Sequence, residues 1–471
     1  MVLLLISHHI LGGSIVADYG AQANKLITAA LTDSGAYKQL GYLCNTFGPR
    51  LSSSKNLEYA LDWIIGEMHQ DGFDVIKGEP VKVPAWVRGE ESAQLIKPFK
   101  KDLAMLGLGG SVGTPKHGIR SEVVVVDSFA ELETIKDKVK GKIVLFNAPF
   151  TSYGETVQYR YKGASEAAKY GAVASLIRSV GSSTLYTPHT GMMAYTKDIP
   201  RIPHAALTIE DAIMLNHQQK SGEKIVIQLK MAARTEPNRW SRNIVADLKG
   251  SENPDEIVVV GGHIDSWDVG QGAQDDGGGC VAAWHAVKLI HDLGLRPKRT
   301  LRVVLWTNEE NGGKGSKAYR DTHRDELDKH MVAIESDGGV FQPSGFGFTG
   351  SQAGREIVDA ISELLISIKA NEITTGGRAA DVAPLNDEGV PVMSLKVDGT
   401  KYFWYHHTNA DTFDKIDFNE FNHCVADLAV IAHVKADMEI DFPRLGREHI
   451  AKIKESYALS CKSDNAKRKD A

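Results

Sequence analysis

The stretch GGHIDSWDVGQGAQDDGGG, residues 261–279, follows directly on the apolar run IVVV at 257–260. A continuous β-branched run of this kind reads as a strand buried on both faces. It delivers His263 and Asp265 to the strand's carboxyl end. The Gly-rich segment beyond carries Asp275 and Asp276 and opens into an apolar helical pattern, CVAAWHAVKLIHDL at 280–293. Strand, glycine-rich turn and helix form the unit from which open α/β sheets are built, and such sheets gather functional groups at the carboxyl ends of their strands.

Working outward, the unit recurs. Strands are expected at 300–306 (TLRVVLW), 331–335 (MVAIE) and 391–397 (PVMSLKV), and helices from about 314, over 354–369 and over 418–437. This alternation predicts an α/β fold with a doubly wound, mostly parallel sheet. Helical periodicity at 23–47 and 57–73 and a strand-like 73–86 precede it. Between 87 and 235 the pattern changes to short strands punctuated by Gly and Pro, such as SEVVVVD (121–127), GKIVLFNA (141–148) and KIVIQLKM (224–231). That segment reads as an inserted module with its own core and no recognisable ligand cluster. The expected division is therefore a discontinuous domain of 18–86 and 236–445, an insert at 87–235, and a polar tail at 446–471.

A chain of 471 residues, 42% hydrophobic and 24% charged, has ample apolar surface for two cores. The net charge of −6 comes without a basic stripe, so nucleic acid is not an expected partner. No apolar run reaches the roughly 18 residues of a membrane span. Residues 1–17 are a candidate signal segment ending in small residues at Ala17. His8 and His9 interrupt it and no Lys or Arg precedes it, so cleavage and retention both stay open. Four cysteines in such a length make no disulfide framework, and Cys280 and Cys424 are expected as buried thiols.

Six residues at five places in the chain carry the chemistry, four of those places directly following predicted strands. They are His263, Asp275 in the next loop, Glu309 and Glu310 in TNEENGG, Asp337 in ESDGG, and His407 in FWYHHTNADT. Taken singly each has an ordinary explanation: a structural His, a solvated Glu pair, Asp in a D-G-G turn. In order, at successive strand ends, they suit a pair of zinc ions about 3.5–4 Å apart bridged by a carboxylate. The absence of thiolates among them argues against a closed structural zinc site.

The motifs GGHIDSWD, GAQDDGGG, TNEENGG, ESDGG and YHHTNADT resemble those of the co-catalytic dizinc exopeptidases, which include bacterial leucyl aminopeptidases and glutamate carboxypeptidases. The resemblance covers nearly the whole chain and implies that residues 87–235 are an inserted protease-associated domain. It implies two zinc ions per chain, one held by His263 and Asp337, the other by Glu310 and His407, with Asp275 bridging. Glu309 is the implied general base. Asp265 is implied to accept a hydrogen bond from His263 and fix its tautomer, and a cis peptide is implied at Asp275–Asp276.

The chain departs from the pattern at His406, where glutamate carboxypeptidase relatives have a Tyr that helps stabilise the oxyanion. Three readings stay open: His406 takes over that role, packs beside the site, or replaces His407 as ligand. Thr408 after His407 favours His407 as ligand. The resemblance further implies hydrolysis of dipeptides or short peptides with free termini, homodimer assembly, and a secreted or lysosomal enzyme. No N-x-S/T sequon supports the secretory route. Rival readings are a longer-peptide aminopeptidase on the same scaffold, a one-zinc glutaminyl cyclase, and a non-catalytic receptor-like protein. The last would have lost ligands that this chain retains. Arg378, Tyr402, Trp404 and a Gly-rich loop at 345–350 are candidates for the specificity pocket.

Overall fold

The computed structural model describes residues 2–446 together with Ile450 and Lys452, and side chains from residue 12 onward. The expected polar tail over 446–471 lies, apart from Gly446, Ile450 and Lys452, outside the described residues.

An eight-stranded sheet carries the ligand candidates, in the order Val75–Val87, Arg234–Leu248, Arg299–Trp306, Asn253–His263, His330–Glu335, Val392–Val397, Pro343–Thr349, Glu372–Thr375. Its four central strands, Arg299–Trp306 through Val392–Val397, run parallel. The sheet as a whole is mixed, with four parallel and three antiparallel pairings. Strand Arg234–Leu248 pairs antiparallel with both its neighbours, and Pro343–Thr349 pairs antiparallel with Val392–Val397.

The IVVV run shows why the centre is parallel. Val258 and Val260 enter the larger core with helices Gly278–Asp292 and Phe418–Asp437. Ile257 and Val259 enter a second core on the opposite face, with Val304, Tyr319 and Leu385. Both faces are covered, so alternation is lost and the strand reads as a continuous apolar run. The closing helix begins where Asp417 accepts hydrogen bonds from the amides of Asn419 and Glu420. Helix Val2–Thr32 is continuous across Ala17, and its Ile15, Leu26 and Ile27 belong to the larger core. Cys280 and Cys424 are buried free thiols, in line with expectation, and Cys44 is one as well. Among the described residues no helix is long and apolar enough to cross a membrane.

A second mixed sheet of eight strands is built entirely from residues 91–231, and runs Lys101–Leu103, Glu91–Lys97, Val226–Met231, Ile119–Val126, Ile143–Phe146, Ala174–Arg178, His204–Leu207, Met105–Gly107. It has its own cores. The antiparallel ribbon of Val75–Val87 and Arg234–Leu248 leads into and out of it. This places the unit against the carboxyl ends of the parallel strands, where Trp267 packs over Gly109.

Candidate metal centre

His263 ends its strand, and its ring is fixed at both nitrogens. Nδ1 lies 2.9 Å from the backbone carbonyl of Asp265; Nε2 lies 3.2 Å from Asp337 Oδ1 and 3.3 Å from Asp275 Oδ1. His407 approaches from the other side, with Nε2 at 3.0 Å from Glu310 Oε2 and 3.3 Å from Asp275 Oδ2. The two oxygens of Asp275 thus each face a different imidazole, the placement expected of a bridging carboxylate. The Asp275–Asp276 peptide is cis. Asp276 accepts from the amides of His263 and Gly279.

The role expected for Asp265 differs in detail. Its carboxylate oxygen is 3.9 Å from His263 Nδ1, and it is the backbone carbonyl that accepts from the ring. The carboxylate instead accepts from the amide of Glu309 at 3.1 Å. Asp265 therefore ties the His263 loop to the Glu309 loop, and burial pushes its carboxyl up to about 6.

Glu309, Glu310, Asp275, Asp337, His406 and His407 line one cavity of about 280 Å³ together with Tyr153, Arg160, Tyr402 and Phe403. His406 stacks on His407, ring centroids 3.5 Å apart, and its Nε2 stands 3.7 Å from Asp275 Oδ2. Burial, with the neighbouring His407, lowers its pKa well below that of a free imidazole, so its ring is neutral. His407 is thus the His closer to both Glu310 and Asp275, and His406 lines the cavity beside it. Of the proposed pocket residues only Tyr402 lines it. Arg378 is paired with Asp387, Trp404 is not among the lining residues, and 345–350 is mostly the strand Pro343–Thr349.

Electrostatics favour cations here. Burial raises the Glu309 carboxyl well above its usual range, with Asp337 and Glu310 adding to the effect. Glu310 is pushed up to about 7 by burial and by Asp275. Carboxylates crowded this way ionise fully only when positive charge is placed among them. Ligand atoms of His263, Asp275 and Glu310 lie within 4.8 Å of one another, as do those of Asp275, His406 and His407, and of His263, Asp276 and Asp337. Glu310 Oε1 is buried without a hydrogen-bond partner. The donor set of imidazole and carboxylate, with no thiolate, fits a hydrolytic zinc centre.

Three supports escaped sequence reading. Arg50, fully buried, donates from Nε to Ile264 O at 2.9 Å, from Nη1 to Gly48 O at 3.1 Å and Gln271 O at 2.7 Å, and from Nη2 to Gly272 O at 2.9 Å. Ser52 Oγ accepts from Asn308 at 2.8 Å beneath the Glu309 loop. Asp411, within the quoted YHHTNADT, accepts from the amides of Gln274 and Asp275 at 2.7 and 3.2 Å.

Residues 243–432 match the family model "Peptidase family M28". Carboxypeptidase Q of Homo sapiens is 47% identical over 432 residues, covering 91% of this chain and 92% of that protein. The carboxypeptidase Q of Xenopus laevis is 48% identical over the same shares. The chain belongs to peptidase family M28. With these relatives, membership makes it a metallo-exopeptidase. A crystal structure of a peptidase M28 precursor from Shewanella amazonensis superposes with a TM-score of 0.88 at 36% identity, covering 91% of this chain and 99% of that one. The zinc aminopeptidase of Bacillus subtilis shares the fold, with a TM-score of 0.66 at 19% identity over 86% of this chain and 96% of its own.

Proposed function

We propose that this M28 peptidase hydrolyses dipeptides or short peptides with free termini at a centre of two zinc ions. The observation that carries the reading is the placement of Asp275 between His263 and His407, with Asp337 beside the first and Glu310 beside the second. His263 and Asp337 would hold one ion, His407 and Glu310 the other, and Asp275 both. When bound, zinc supplies Lewis acidity to a scissile carbonyl and to a nucleophilic water.

The chain's own groups do the rest. Glu309 Oε takes a proton from the attacking water and returns it to the leaving amine. Asp265 holds the Glu309 backbone in place through the 3.1 Å hydrogen bond. His406, neutral and stacked on His407, offers Nε2 towards the cavity as the donor for the developing oxyanion. The aromatic rings of Tyr153, Tyr402 and Phe403 narrow the cavity and exclude bulk water. A volume of about 280 Å³ favours short substrates over long peptides. In this reading residues 87–235, which contain the 91–231 sheet, are the inserted protease-associated domain, and they close the site on one side.

Zinc per chain by mass spectrometry, paired with hydrolysis of a free dipeptide with and without chelator, tests the proposal. Two zinc ions and chelator-sensitive cleavage are expected. Folded, zinc-loaded protein that cleaves no free dipeptide refutes it.

A further inference from the structure

The two histidines are oriented by different parts of the molecule. The Nδ1 partner of His263 is the carbonyl of Asp265, two residues away in its own loop. His407 Nδ1 lies 3.3 Å from the carbonyl of Thr190, 217 residues away, and 3.4 Å from Arg160 Nη1, which also donates to Thr190 O at 3.4 Å; both residues belong to the unit built on the second sheet. The contact with Thr190 is double, because the Thr190 amide also donates to the His407 carbonyl at 2.9 Å. His407 has φ of +62°, a left-handed conformation that costs a β-carbon residue energy and persists only when its surroundings hold it.

Thr190 is itself fixed. Its hydroxyl donates to Gly107 O at 2.8 Å and accepts from Arg88 Nη2 at 3.2 Å. Arg88, at the entry to the second unit, donates from Nε to Asp268 Oδ2 at 2.9 Å and also pairs with Glu91. Asp268 adjoins Trp267, whose ring lies edge-on to His407 at 5.6 Å between centroids. The far edge of that indole fills the space over Gly109, where a β-carbon would stand 2.0 Å from it. One ligand candidate is therefore held between the two units, with its ring against Trp267 and its backbone and Nδ1 on Thr190.

We infer that Thr190 is a positioning residue for His407, held by Arg88, so that docking of the 91–231 unit sets the affinity of one metal position and not the other. The inference rests on the two-zinc reading above. An acceptor on the far nitrogen of a ligating imidazole fixes its tautomer and ring angle, and losing such a partner typically weakens metal binding 10- to 100-fold. His263 Nδ1 keeps its own acceptor, the Asp265 carbonyl, so its ion is expected to respond far less, even though Arg88 also reaches the His263–Asp275 loop through Asp268.

The test is a two-step zinc titration of the full-length protein against a chromophoric chelator. The steps are assigned beforehand by their selective loss in His407→Ala and His263→Ala. Arg88→Gln and Thr190→Val are then compared with wild type, alongside the melting temperature of each metal-free protein. We expect the step lost in His407→Ala to weaken about 10- to 100-fold in both variants, while the other stays within about twofold of wild type. Thr190→Ser, which keeps the hydroxyl, should restore the wild-type value. Thr190→Val serves if Arg88→Gln does not fold. Equal weakening of both steps, or no change in either, overturns the inference. A wild type that takes up fewer than two zinc ions refutes the two-zinc reading itself and this inference with it, before any variant is measured.

Discussion

Arg50→Met is the substitution whose cost can be worked from the structure. The guanidinium is fully buried and its side-chain hydrogen bonds go to four backbone carbonyls, of Gly48, Ile264, Gln271 and Gly272. Three of these belong to the loop between His263 and Asp275. Its own backbone is tied in as well, the Arg50 amide donating to Ser266 Oγ at 3.0 Å and the Arg50 carbonyl accepting from the Ser266 amide at 3.3 Å. Methionine keeps most of the apolar stem and removes every donor. Gly272 O keeps the Gly277 amide at 3.0 Å, so in this loop it is Ile264 O and Gln271 O that lose their Arg50 donor. A buried carbonyl left unsatisfied costs about 1–3 kcal/mol, or about 2–6 kcal/mol for the two. Part is returned, because a cation no longer has to be desolvated. The net expectation is a loss of about 3–5 kcal/mol, the size seen when one member of a buried charged network is removed. Urea unfolding of the metal-free protein measures it as a lower midpoint at an unchanged slope. Because the loop carries His263 and Asp275, zinc affinity should fall at both steps, which distinguishes this support from Thr190. Arg50→Lys, a point charge with no planar fork, should recover part of the stability only. A loss below about 1 kcal/mol would show that the loop holds its shape without the clamp.

Glu309→Gln should retain zinc and lose hydrolysis by about 10²–10⁴-fold; full turnover with full zinc would remove Glu309 from the proton-transfer role. Asp275→Ala should lose zinc and activity together, read by metal content of the purified protein. His406→Ala should bind zinc normally and lower kcat, and an unchanged kcat would leave His406 as packing alone. Lys435 is fully buried, and burial together with Arg299 lowers its pKa to about 7, although its ammonium donates to Ile440 O at 2.6 Å and lies over the Phe442 ring. Its folded pKa lies below the unfolded 10.5, so between about 7 and 10.5 only the unfolded chain holds the extra proton and stability rises with pH. Lys435→Met should therefore gain most over wild type at or below pH 7, the advantage shrinking by about 1.4 kcal/mol per pH unit above it; denaturation at pH 6 and pH 9 checks this, and a constant difference contradicts it.

The parts of the structure that sequence exposed are those where residue type and local position coincide. The IVVV strand is legible because burial on both faces demands apolar residues without alternation, and His263, Glu309, Glu310 and Asp337 are legible because they stand directly after such strands. Strand Pro343–Thr349 was read as a Gly-rich loop. Phe346 and Phe348 point into the larger core, while Gly345 and Gly347 let neighbouring backbone come close; a β-carbon on Gly345 would stand 1.9 Å from the Glu372 carbonyl. Glycine there serves close approach within a sheet, which from sequence alone looks the same as glycine serving a turn.

The supports of the site were hidden for a different reason. Asp265 accepts from His263 as expected, but with its backbone carbonyl, which leaves the carboxylate for Glu309. Thr190 likewise acts on His407 through a backbone carbonyl and amide, and Arg50 grips the loop by carbonyls alone. Every residue carries a carbonyl, so an acceptor of this kind leaves no trace in residue type. In this peptidase the zinc-ligand candidates are written in the sequence, while much of what orients them is written in the backbone. It follows that substitutions with the largest effect on the centre need not lie in its motifs: Arg50 and Arg88 stand far outside them in sequence, and each holds a loop from which a candidate ligand projects.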